Sequence, residues 1–169
     1  MPRILALWFH DSTPGLARIP MAQTDEPTLM PDERGPRWAK PVLLAAAAYN
    51  LVFGALAVLF PLAWFQFANL PVPNYPCLWQ CIGMIVGVYG IGYAIAAFAP
   101  LRHWPIVLVG LAGKVFGPLG FLDAAMRGDL PWRCGWLLVT NDLIWWVPFT
   151  ALLVHAWHAH RSERGNSAR

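Results

Sequence analysis

PVLLAAAAYNLVFGALAVLFPLAWFQFANLPVPNYPCLWQCIGMIVGVYGIGYAIAAFAPL, residues 41 to 101, runs for 61 positions without one Asp, Glu, Lys or Arg. Such a stretch cannot face water along its length, since soluble domains carry charge at about a quarter of their positions. The whole chain is similarly poor in charge: 12% of its 169 residues are charged and 57% are hydrophobic. Working outward, the apolar residues fall into four blocks, 42–60, 78–99, 105–126 and 135–157, separated by Pro, Trp and charge. Each is long enough to cross a hydrocarbon core of about 30 Å, which takes roughly 20 helical residues. Barrel strands would be about half as long and would alternate in polarity. The predicted fold is therefore all-α, an integral membrane four-helix transmembrane bundle in contact with the lipid bilayer.

Tryptophan supports the same segmentation, because the indole prefers the headgroup level, where its apolar body and its N–H are both accommodated. Trp38, Trp64, Trp79, Trp104, Trp132, Trp136 and Trp157 stand at or near block edges, while Trp145 and Trp146 sit inside a block. Lys and Arg set the orientation. With both termini cytoplasmic, the inner side collects Arg3, Arg18, Arg34, Arg37, Lys40, Arg102, Arg161, Arg164 and Arg169, against Arg127 and Arg133 outside. The expected location is a bacterial inner (plasma) membrane. The net charge of +3 is thus a topology signal, and no basic cluster is dense enough to indicate nucleic acid.

Residues 1–36 are rich in Pro, Asp, Glu, Thr and Arg without helical periodicity. They read as a disordered cytoplasmic extension, or as sequence upstream of a true start at Met21 or Met30. Residues 37–160 form the transmembrane domain and 161–169 a cytoplasmic tail. The connection 61–77 reads as an interfacial loop. The very short one after Pro100 forces the second and third helices to be antiparallel neighbours. Small residues recur along both: Gly83, Gly87, Gly90, Ala94 and Ala97 on one, Gly110, Gly113, Gly117, Gly120 and Ala124 on the other. Lipid supplies no hydrophobic drive between helices, so small-residue stripes that let backbones approach are expected to join these two. Bulk at Gly87 or Gly117 should then be worse tolerated than at Gly54.

Lys114 is the most informative residue. It lies nine residues into the third block, and a charge at that depth costs several kcal/mol unless it is paired or wetted. Pro118 has no N–H to give the carbonyl four residues back, which is that of Lys114. The best counter-charge is Asp142, preceded by Asn141 and followed by Trp145 and Trp146. Asn50 and Tyr89 fall near the level of Lys114 and Gln80 near the outer rim, so Lys114, Asp142, Asn141, Asn50, Tyr89 and Gln80 outline a binding pocket opening outward. Cys77 and Cys134 map to the outer side and Cys81 lies one turn inside from Cys77, all three candidate thiols, although Cys-x-x-x-Cys is not the thioredoxin spacing. His155, His158 and His160 gather at the end of the fourth helix without the carboxylates or thiolates of a metal site, so no metal is expected, and no cofactor is specified.

The segments YNLVFG (49–54), WQCIGMIVGVYGIGY (79–93), RHWPIVLVG (102–110), Gly113-Lys114 with GPLGF after it (117–121), and NDLIWWVPF (141–149) resemble a group of small bacterial four-helix membrane proteins. That group is similar in size and layout to the DoxX-like superfamily, some of whose members are accessory subunits of thiol or sulfur-compound oxidation. The resemblance covers about residues 38–157, implies the four-helix architecture, and carries over no catalytic residue. The sequence leads to an accessory rather than enzymatic protein, binding a small hydrophobic or anionic molecule, a lipid or a quinone headgroup through the intramembrane pocket. The alternatives are a small transporter or exporter working as a homo-oligomer, and a membrane subunit of a thiol or sulfur redox system.

Overall fold

The structure, a computed structural model, describes residues 34–167, with side chains to residue 162. The extension read at 1–36 therefore lies, save its last three residues, outside the described residues. The chain forms α1 (Ala39–Leu59), a short α2 (Ala63–Phe67), α3 (Pro76–Ala96) and α4 (Trp104–Met126). A 3₁₀ turn (Trp132–Gly135) then leads into α5 (Trp136–Leu138), a π-helical turn (Val139–Leu143) and α6 (Ile144–Ser167). Four segments are long and apolar enough to cross a membrane: Ala39–Leu59, Pro76–Ala96, Trp104–Met126 and Trp132–Ser162. The protein is an all-helical, multi-pass membrane protein built as a four-helix bundle. Helix α6 continues to Ser167, into the segment read from sequence as a tail.

One end of the bundle, here the basal end, holds the start of α1, the connection between α3 and α4, and the end of α6. The distal end holds α2, the 3₁₀ turn and residues 127–131. The core lies toward the basal end, where Ala39, Leu43, Ala46 and Ala47 of α1 meet Tyr93 and Ala96 of α3, Val107 of α4, and Phe149, Leu152 and Ala156 of α6. Gly35 enters α1 with φ +60, a left-handed conformation open to glycine, and Leu101 of the basal connection packs over it. At the distal end Phe53, Phe65 and Trp79 stack edge to face and hold α2 against α1 and α3. The connection 61–77 thus contains a helix where the sequence suggested only a loop.

The small residues pair different helices from those expected. A Cβ placed on Gly54 would come 2.6 Å from the Gly83 carbonyl oxygen and 3.0 Å from the Gly87 nitrogen. One on Gly90 would come 3.0 Å from the Ala47 carbonyl oxygen. The α3 stripe is therefore packed on α1, not on α4. Between α3 and α4, contact is confined to the basal half, with Gly92 beside Ile106, Gly110 beneath the Tyr93 ring and Gly113 near the Tyr89 hydroxyl. Farther along α4, Gly117 faces Asp142 and Gly120 meets nothing. The cause is geometric: the short connection ties α3 and α4 at one end only, and each finds its close partner elsewhere, α3 on α1 and α4 on the fourth span.

Candidate intramembrane site

Lys114 stands ten residues into α4, about 15 Å along its axis and so near mid-membrane. The Lys114 and Asp142 residues are only 5% and 4% exposed, and Nζ lies 3.9 Å from Asp142 Oδ1. At that separation the attraction is coulombic, because a direct N–H···O bond is about 2.7–2.9 Å for charged partners. The ammonium instead donates to the backbone carbonyl of Asn141, and the Asn141 amide donates to Asp142 Oδ1 at 2.8 Å. Asn141 therefore stands between the charges, its main chain serving the cation and its side chain the anion.

The π turn makes this arrangement. Over residues 139–143 the helix widens, and the N–H of Ile144 reaches back five residues to Val139. A π turn carries an extra residue within a helical span and is found often at functional sites. Pro148, one turn on in α6, adds to the irregularity, since it has no N–H for the Ile144 carbonyl. Around the turn, side chains take up the main-chain acceptors: Trp145 Nε1 donates to the Thr140 carbonyl at 3.2 Å. Tyr49 of α1 donates its hydroxyl to Thr140 Oγ1 at 3.1 Å, tying the site to the other helix pair.

The carbonyl that Pro118 leaves without its usual donor is filled from across the interface, where Trp146 Nε1 donates to the Lys114 oxygen at 3.1 Å. A carbonyl in hydrocarbon has no water to turn to and must find its donor within the protein, and this indole supplies one where proline interrupts the helix. Sequence reasoning located the free carbonyl but not its donor. The Trp-Trp pair one turn beyond Asp142 was the available signal.

Of the six residues assigned to a pocket from sequence, the structure brings together Lys114, Asp142 and Asn141. Asn50 is buried, 2% exposed, and its carboxamide oxygen has no hydrogen-bond partner among the described residues. The Asn141 side-chain oxygen is likewise without one. Gln80 donates to the Val58 carbonyl at 2.9 Å, near the distal end and away from the pair. Tyr89 lines a different feature, an apolar groove of about 650 Å³ between α3 and α4. Met84, Val88, Tyr89 and Gly92 form one wall, and Ile106 and Val109 the other. Cys77 and Cys81 are exposed, Cys134 is half-buried, and all three are free thiols. His155 and His160 are turned to tryptophans, His155 edge-on to Trp38 and His160 to Trp104. Compared with protein-family models, curated proteins and solved structures, the chain matches none of them.

Proposed function

We propose that the protein binds an amphiphilic molecule drawn laterally from the bilayer into the α3–α4 groove. One observation carries the reading: two helices joined at the basal end leave between them an apolar groove of about 650 Å³. That is within the span of about 300–1,000 Å³ usual for small-molecule sites, and its wall carries one hydroxyl, that of Tyr89. An apolar chain fits along such a wall, and a polar head can stay at the membrane surface. The charge bias supports a bacterial inner membrane with the basal end, and hence both termini, in the cytoplasm.

Val88 and Val109 line the groove and are exposed, so Val88→Trp and Val109→Trp should fill it without disturbing the core. After release from lipid nanodiscs, native mass spectra of both variants should show less co-purifying lipid or quinone than the wild type. Val52→Trp, equally open but on α1, should match the wild type. Equal retention in all four proteins would refute the reading.

A second reading, a small oligomeric transporter, draws support from the charged pair at mid-membrane, since such groups often mark substrate or ion pathways. It predicts solute flux into proteoliposomes that is abolished in Lys114→Met. The groove variants should leave that flux unchanged.

A further inference from the structure

We infer that the occupant of the groove is an anionic phospholipid of the basal leaflet, with one acyl chain along α3 and its phosphate at the basal rim beside Arg102. This deepens the proposal of a lateral groove site and rests on it. At about 1.5 Å per residue, the wall from Met84 to Gly92 is roughly 12 Å long. One leaflet of the hydrocarbon core is about 15 Å deep, half of about 30 Å. The groove therefore belongs to a single leaflet. It begins at Gly92 and Ile106, next to the basal connection, and ends near mid-membrane at Met84.

Charge at the two ends differs in the way this occupant requires. At the distal end the cations are already engaged. Arg127 pairs with Asp123 at 3.0 Å and with Asp129 at 3.1 Å, and Arg133 donates to the Asn69 carbonyl at 3.1 Å. At the basal end Arg102 and His103 immediately precede α4, and His160 packs against Trp104 with Arg161 beside it in sequence. Lys40 lies over the Phe98 ring at 4.9 Å. Among the described side chains no carboxylate stands at this end. This cluster of basic side chains and the open groove thus share one leaflet, and a phosphate diester carrying an acyl chain meets both. A neutral lipid would leave the charge unmatched. A soluble anion would leave the groove unfilled.

The full chain would be reconstituted in nanodiscs of equal phosphatidylglycerol and phosphatidylcholine, and the lipids retained on release read by native mass spectrometry. The wild type should retain phosphatidylglycerol in clear excess. Arg102→Gln should lower that excess about fivefold, the effect of one basic residue at an anionic surface, while total retained lipid stays the same. Raising the salt should erode the wild-type preference without any substitution, because exposed charges are screened. Equal retention of the two lipids by the wild type would overturn the inference, as would a preference indifferent to both Arg102→Gln and salt. Loss of preference bears on the anionic headgroup alone. Unchanged retention of both lipids in Val88→Trp bears on the groove itself, so the two failures are distinguishable.

Discussion

Along α1 and α3 the backbones meet over glycine and alanine, with Gly54, Gly83 and Gly90 at the points of closest approach. Helix α4 and the fourth span meet instead through Lys114, Asn141, Asp142 and Trp146. Both seams answer the same difficulty: lipid tails are as apolar as leucine, so burying apolar surface gives no net drive between helices. The first seam draws on dispersion between closely apposed backbones and fails if anything is added. The second draws on hydrogen bonds and charge and fails if one partner is taken away.

The sharpest way to break this comparison is to add bulk to the first seam. Gly54→Leu sets a side chain where a Cβ alone would be 2.6 Å from a main-chain oxygen, and backbone cannot yield as the end of a side chain can. Little folded protein should be recovered from the membrane fraction by size-exclusion chromatography. Recovery at the wild-type level would mean that α1 and α3 do not pack as described.

Removing one charge from the second seam should come next. Lys114→Met or Asp142→Leu leaves the partner buried and unpaired, a loss of about 3–5 kcal/mol where such pairs have been broken, read as a lower midpoint of unfolding in detergent. The double variant removes both charges and should recover most of that loss. If the two single losses simply add, the residues are not coupled and the second seam is misread.

A smaller effect is expected from Trp146→Phe, which keeps the ring and deletes only the donor to the Lys114 carbonyl. Interhelical hydrogen bonds in membranes average about 0.6 kcal/mol, so the midpoint should fall slightly. A drop as large as that of Lys114→Met would show that Trp146 acts through more than this bond. The smallest effect should come from Gly87→Leu and Gly120→Leu, since a Cβ at either meets nothing within 4 Å. Clear destabilisation by Gly120→Leu would restore the α3–α4 contact that the stripes first suggested.

That last contrast shows what could be read from the chain. The number of spans and the burial of Lys114 and Asp142 follow from hydropathy and the scarcity of charge, which act residue by residue. Glycine periodicity showed that α3 has a face for close approach but not which helix fills it. Gly54 is the one glycine of α1, and the alanines that share its face, Ala47 and Ala57, do not stand out in a helix rich in alanine. The π turn was hidden for a related reason: it is set by how Thr140, Asn141 and Asp142 are met by Trp145, Lys114 and Tyr49, none of which is near in sequence except Trp145. The groove was equally illegible, being a space left where two joined helices part.

The Lys114–Asp142 pair also bears on how the protein is made. A lysine at the centre of a spanning helix raises its insertion free energy by roughly 2.5–3.5 kcal/mol. During synthesis α4 reaches the translocon before Asp142 exists, whereas the glycine seam of α1 and α3 can close without any later residue. Helix α4 is thus the segment most dependent on residues synthesised after it. A chain cut short after Met126 would present the quality-control machinery with a finished pair and one helix still carrying an unanswered ammonium.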